Sequence, residues 1–412
     1  MSFCRRRPAP AVAPPLLRVA AVLAGALALL LTGCSGSPSA PAPGLGSPSA
    51  AVAPGSTGAR APVPPGFAPA SVSFPDAQDA FALGLAPCGG THTGLCTAFA
   101  ASADGGLHWA ARTSPTLVPS DLFARAILRF ADPQNGFVAL GGLQATHDGA
   151  RSWQPVSLPG LTDPRVVAME ESAGFLYVVA GQRGDAGPLR LFESAAQVDA
   201  FIAVPGVSLP AAGTSVAFSA AAGTIYLLAN TLHGAPRLLL SGDAVHWTTR
   251  AAPCPAASTG AVAAADAQDM TVVCDGAPTA TGAPKSVYRS SDAGMTFTRA
   301  GGPAPAGFTA AAASPGPQVL VVAASAQVDR LYRSADAGRS FDVVYASGVD
   351  GSGGGLGFTD LAFTDATHGS VVLGDAGIYA RDHAAGQVGL AAPRLLTTTD
   401  GGQHWAQTVI KS

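Results

Sequence analysis

Two short apolar strands separated by an acidic turn recur along the chain. Val72-Ser73-Phe74-Pro75-Asp76 leads to Phe81-Ala82-Leu83-Gly84, and Phe130-Ala131-Asp132 leads to Phe137-Val138-Ala139-Leu140-Gly141. Weaker versions begin near Met169, Phe218, Ala264 (with Asp266) and Phe308, and a clear one returns at Phe363-Thr364-Asp365 before Val371-Val372-Leu373-Gly374. A second pattern, Ser/Thr-x-Asp-x-Gly-x-x-aromatic, keeps step with the first. It occurs as Ser102, Asp104, Gly106, Trp109, and as Thr146, Asp148, Trp153 with Ala150 in place of Gly. It returns as Ser290, Asp292, Gly294, Phe297, then Ser334, Asp336, Gly338, Phe341, and finally Thr398, Asp400, Gly402, Trp405. Ser241, Asp243 and Trp247 form a copy one residue short, and Ser194 keeps the spacing to Phe201 without the Asp. The copies start 44, 48, 47, 49, 44 and 64 residues apart.

Each unit therefore reads strand A, turn, strand B, loop, strand C, box, strand D. Seven units fill residues 71–412 at about 49 residues each, close to the period of a four-stranded propeller blade. The expectation is an all-β, seven-bladed β-propeller of four-stranded antiparallel blades. The long last interval leaves room for an insertion or a lost copy, so the count is bounded at six to eight. The units run A to D from first to last, so no strand exchange closes the ring unless residues 61–70 supply one.

The box has a local physical reading. Its carboxylate and hydroxyl hydrogen-bond backbone groups inside a tight C–D hairpin, Gly takes a positive φ, and the aromatic ring adds apolar area between sheets. On these residues the repeat resembles the Asp-box (BNR) repeat of sialidases, sortilin-type receptors and photosystem II stability/assembly-factor-like proteins. The Phe-x-Asp…Gly-Phe strand pair is most similar to the last group. The resemblance covers nearly all of residues 71–412 and implies a propeller in which the boxes lie away from the ligand face.

The start of the chain reads as an address. Arg5, Arg6 and Arg7 precede an apolar run from Val19 to Leu31, too short for a stable span but suited to a signal peptide. It ends in Leu31-Thr32-Gly33-Cys34, which resembles a bacterial lipobox. That resemblance implies a lipoprotein signal peptide over 1–33, cleavage before Cys34, palmitate-type acylation of its thiol and anchoring at the extracytoplasmic face of the cell membrane. Residues 34–70 are mostly Ser, Pro, Ala and Gly with a single charge, Arg60, and read as a tether ahead of the propeller.

Composition narrows the function. The 412 residues are 48% hydrophobic and only 12% charged, with 50 Gly and 34 Pro, which means many turns around a sizeable core. The net charge is −3, and −7 once the leader is gone; Lys occurs only at Lys285 and Lys411. Nucleic acid is excluded as a partner because phosphate neutralisation needs clustered cations. Beyond Cys4 and Cys34, four cysteines remain, and export permits two disulfides. Of the three connectivities, the local pairs Cys88–Cys96 and Cys254–Cys274 are favoured. No cofactor motif, zinc spacing or nucleophile elbow is present.

By topology the A–B turns and boxes share one face, and the B–C and D–A loops share the other, where ligands are expected. The candidate rim there is Arg183, Asp185, His233, Arg237, Arg330, Tyr379, Arg381, Asp382 and His383, with Gln182, Lys285 and Asp329 nearby. Three functions follow. A non-catalytic binding or scaffold propeller would take protein, peptide or glycan on that face. A sialidase-type glycoside hydrolase would need three arginines, a Tyr–Glu nucleophile pair and an acid/base; only Glu170, Glu171 and Glu193 are glutamates, and Arg129 and Arg165 are the arginines near the inner strands. A photosystem II assembly-factor-like role is the third. The binding reading leads, because no catalytic constellation can be assembled.

Overall fold

The computed structural model describes residues 61–412 except 90–93, 117–125, 141, 185–186, 232–233, 280–281, 302–304, 349–355 and 388–390. The leader, Cys34 and the tether up to residue 60 lie outside these residues, as do Asp185 and His233 of the rim. Seven antiparallel sheets follow one another, each of four strands paired in the order A-B-C-D. The A strands, Ala68–Ser73, Ile127–Phe130, Pro164–Ser172, Thr214–Ala221, Thr259–Ala264, Phe308–Gly316 and Phe358–Phe363, touch their neighbours around a ring and line its channel. The chain is a seven-bladed β-propeller.

Seven apolar clusters hold the ring, one at each blade junction. Blade six shows why. In its B strand, Val321 and Ala323 pack toward blade seven, while Leu320, Val322 and Ala324 pack toward blade five. Side chains alternate across a strand, so a blade buried on both faces must be apolar at every position. That requirement accounts for the high hydrophobic content of the ring. Among the described residues no helix is long and apolar enough to cross a membrane.

The two sequence landmarks interlock physically. In blades one, two, five and seven the turn aspartate accepts two backbone N–H groups, as Asp76 does from Gln78 and Asp79, both at 2.7 Å. The box then docks on that turn: Gly105 donates to the Gln78 carbonyl at 2.7 Å, and Gly149, Ala293, Ala337 and Gly401 do the same in their blades. The Phe…Gly pairing is steric. Phe363 lies opposite Gly369, where a Cβ would come within 2.7 Å of the ring. Phe130 covers Gly136 in the same way.

The 64-residue interval holds no eighth blade. Its extra length includes a helix, Ala376–Ala384, in the B–C connection of blade seven, a stretch that reads as loop from sequence. Asp375 caps it by accepting from the Ile378 N–H at 2.8 Å, and Ala376 and Ala380 are buried in the cluster between blades one and two. Closure uses no strand exchange. Val63 and Ile410 are buried with Val372 and Leu395 of blade seven and Val72 and Trp109 of blade one. Trp109 donates to the Lys411 carbonyl at 3.2 Å, and Ala111 to that of Ala61 at 2.9 Å. The disulfides are Cys88–Cys96, across the B–C connection of blade one, and Cys254–Cys274, which ties the approach to blade five onto its B strand.

Candidate functional site

The box residues are turned inward on their own hairpins. In five boxes the Ser/Thr hydroxyl donates to the aspartate at 2.7–2.9 Å and accepts from the N–H four residues on at 2.8–3.0 Å. In the short box Ser241 meets Asp243 at 3.3 Å. The carboxylate also takes the side chain just before the aromatic residue: Ser152, Thr296 and Ser340 through hydroxyls, His108, His246 and His404 through Nδ1, all at 2.6–2.7 Å. The sequence singles out His108, His246 and His404 before their Trp residues as structural; that Ser152, Thr296 and Ser340 take the same place on the carboxylate is legible only in the structure. The Thr296 hydroxyl chiefly holds the Asp292 carboxyl at about 2, and the Ser340 hydroxyl does so for Asp336. Two consecutive residues take positive φ in each complete box, such as Ala293 (56°) and Gly294 (79°), so the strain extends one residue before the expected glycine.

The aromatic residues do packing work. Trp109 is buried at the closure between blades seven and one and donates from Nε1 to Gly106 at 2.9 Å, and Trp405 donates to Gly402 at 3.2 Å. Trp153 reaches the Thr113 carbonyl beyond blade one, and Trp247 reaches Glu193 of blade three at 3.3 Å. Phe201, Phe297 and Phe341 sit against the clusters of their junctions.

A cavity of about 540 Å³ opens at the channel mouth on the box face, with residues from all seven blades in its wall. Blades four to six give it small side chains, including Ser219, Ala220, Ala264 and Ala313, while the charges lie on blades two, three and seven. Arg129 bridges Glu170 of blade three at 3.1 Å and Asp360 of blade seven at 3.2 Å. Asp360, at φ 53°, also accepts from the Ser71 hydroxyl and from the Val72 N–H at 3.0 Å. Ser71 in turn accepts the Leu128 N–H at 2.9 Å, so blades seven, one and two are stitched at the channel wall. Burial pushes the Glu171 carboxyl up to about 7 despite the hydrogen bond it accepts from the Gly174 N–H, and the adjacent Glu170 adds to the shift.

The loop-face rim is dispersed. Arg183 pairs with Asp163 at 2.9 Å within blade three, and Arg237 donates to the Ser208 carbonyl of that blade at 2.9 Å. Arg330 is half-buried at the start of its C strand. Tyr379, Arg381, Asp382 and His383 lie on the helix, where Arg381 pairs with Asp382 at 2.9 Å and Tyr379 packs toward blade one. Lys285 is buried and bonded to Asp275 at 3.4 Å and to the Gly307 carbonyl, joining blades five and six. Asp329 is buried and accepts the Leu356 N–H at 2.9 Å. Of the remaining arginines, Arg289 pairs with Asp269 at 2.9 Å and Arg333 donates to the Gly401 carbonyl, both out on C strands, whereas Arg165 starts the A strand of blade three. One arginine, Arg129, lines the channel mouth, and two carboxylates already neutralise it. Among the described residues no group of three His, Cys, Asp or Glu is placed to hold a metal.

No protein-family model and no curated protein sequence matches the chain. Several solved structures match its fold. The BP39L lectin from Burkholderia pseudomallei superposes with a TM-score of 0.53 at 17% identity, over 83% of this chain and 99% of the lectin. YCF48 bound to D1 peptide gives 0.50 at 12% identity, over 83% and 95%. A puromycin-hydrolyzing peptidase of Mycobacterium tuberculosis gives 0.51 at 11% identity, over 84% of this chain but 52% of the peptidase. At these identities the likeness is one of fold: the chain is a propeller resembling these proteins in architecture.

Proposed function

We propose that the chain is a non-catalytic binding propeller, exported and held at the outer face of the membrane by an acylated Cys34, which takes its ligand at the channel mouth on the box face. The observation that carries the reading is the 540 Å³ cavity, walled by small residues and aromatic rings and with its arginine already committed to two carboxylates. Such a mouth offers shape and hydrogen bonds but no free arginine to clamp a substrate carboxylate, which disfavours sialidase-type chemistry. Sequence analysis expects ligands on the B–C and D–A rim; the 540 Å³ cavity and the charges at its mouth favour the opposite face. YCF48 of similar fold carries a peptide, and the similar BP39L is a lectin, so peptide and glycan are the ligand classes to test first.

Peptide and glycan arrays probed with the wild-type chain and with Ala362→Trp, an exposed wall position, test the binding site. Loss of the bound ligand at unchanged Tm is the expected result, and retention overturns the placement. Steady turnover of a fluorogenic sialoside or another glycoside overturns the non-catalytic reading. Inhibition of lipoprotein signal peptidase is expected to leave a larger precursor, and Cys34→Ala to abolish palmitate labelling; an unlabelled wild-type chain removes the anchor.

A further inference from the structure

All seven boxes and A–B turns lie within the described residues. The hairpin tips carry Leu107, Val198, Val245 and Met295 on blades one, three, four and five, exposed by 77, 62, 69 and 68%. The three remaining tips carry Arg151, Arg339 and Gln403. Apolar side chains at this exposure serve no core; Leu107, Val245 and Met295 stand two residues before their box aromatic residue and Val198 three before Phe201, so four hairpins of one face carry an unpartnered apolar side chain. Among the described residues of the other face, Phe308 and Ile378 are exposed by 42% each.

Acidic groups outnumber basic ones on the same face. Six boxes contribute an aspartate and four A–B turns another. In blades two, five and six the box carboxylate is held by backbone N–H and hydroxyl groups that add no compensating charge, whereas in blades one, four and seven it also meets a His Nδ1. Most arginines of this face are engaged, Arg129 between Glu170 and Asp360, Arg289 on Asp269, Arg250 on the Ala293 carbonyl, Arg333 on that of Gly401 and Arg151 on that of Asp148, while Arg339 stands exposed at its tip. At the centre, the channel mouth holds Glu170, Asp360 and Glu171 against one arginine.

We propose that the box face is a docking surface for a basic, apolar polypeptide segment, whose aliphatic side chains seat on the tips of blades one, three, four and five and whose cationic side chains face the box and turn aspartates and the channel mouth. The occupant follows from complementarity. An apolar ring alone would suit a lipid surface as well, but an anionic face is repelled by anionic headgroups and attracts Lys and Arg. This inference rests on the binding reading above and specifies its partner.

The test is fluorescence anisotropy with the purified full chain and two labelled 14-residue peptides, one alternating Lys and Leu, the other Glu and Leu. The Lys/Leu peptide is expected to bind and the Glu/Leu peptide to fail, with affinity falling as salt rises. Leu107→Lys with Met295→Lys is expected to weaken binding at least tenfold at unchanged Tm, and Ile378→Lys on the other face to leave it intact. Equal binding of both peptides, or full binding by the double Lys variant, overturns the proposal. So does tip-dependent sedimentation with phosphatidylcholine vesicles in the absence of peptide binding, which would assign the tips to lipid. A ligand blocked by Ala362→Trp but indifferent to the tip variants would leave the channel-mouth function standing and remove only this partner.

Discussion

Asp360 of blade seven and Arg129 of blade two meet at 3.2 Å across the end of blade one. Because Asp360 also holds Ser71 and the Val72 N–H, one carboxylate ties the last blade to the first two. The ring has no exchanged strand, so this contact and the apolar seam around Trp109 carry closure.

Asp360→Ala is expected to lower stability by about 1–3 kcal/mol, because it leaves Ser71, Val72 and Arg129 short of an acceptor. Asp360→Asn, which keeps acceptors and tolerates the positive φ, is expected to fall between Ala and wild type. Hydrogen exchange that quickens first in Ala68–Ser73 and Phe358–Phe363 would identify the seam as the weak junction; uniform loss of protection would refute that.

Asp336→Ala is expected to cost about 1–3 kcal/mol in chemical denaturation, since Ser334, Ser340 and two backbone N–H groups lose their acceptor. The pH dependence has a definite sign. The Asp292 and Asp336 carboxyls are lowered from 3.8 to about 2 in the fold, so their stabilisation is full above pH 3.8 and is lost as pH falls through 2. Melting curves between pH 5 and pH 2 should lose part of that slope in Asp336→Asn.

Glu171 acts in the opposite direction. Its carboxyl is raised from 4.5 to about 7, so the fold favours the protonated form and stability declines as pH rises from 4.5 through 7. Glu171→Gln keeps an acceptor for the Gly174 N–H and has no charge to bury. The variant should melt higher than wild type at pH 8 and level with it at pH 4; equal melting at both values would rule out the burial cost.

Ala293 sits at φ 56° in the box of blade five, a conformation that costs an L-residue about 1–2 kcal/mol. Ala293→Gly removes that cost and adds chain entropy to the unfolded state, which offsets about half of it. A net gain of up to about 1 kcal/mol is expected from urea denaturation, and a loss would mean that the Ala methyl packs more than its half-buried position suggests.

The repeat was legible because each blade restates it locally. A box needs a hydroxyl, a carboxylate, a residue able to take positive φ and an aromatic ring within eight positions, and those requirements are written in consecutive residues such as Ser334 to Phe341. The same holds for the turn aspartates and for the Phe363–Gly369 pair. From these alone came strand order, blade identity and the two faces. Cys88 and Cys96, only eight residues apart, pair as favoured, and Cys254 pairs with Cys274.

What the chain order could not supply was everything made between distant blades. The contact of Asp360 with Arg129 joins residues 231 positions apart, and no pattern within a blade requires it. The number of blades in the long interval depended on whether Asp375 starts a helix, which the burial of Ala376 and Ala380 against blade one favours. The siting of the cavity likewise depends on seven A strands converging at one mouth. Local hydrogen bonding and strand alternation act over a few residues and so are readable in sequence; ring closure and the channel arise from packing between units far apart in the chain, and only the folded structure brings those residues together.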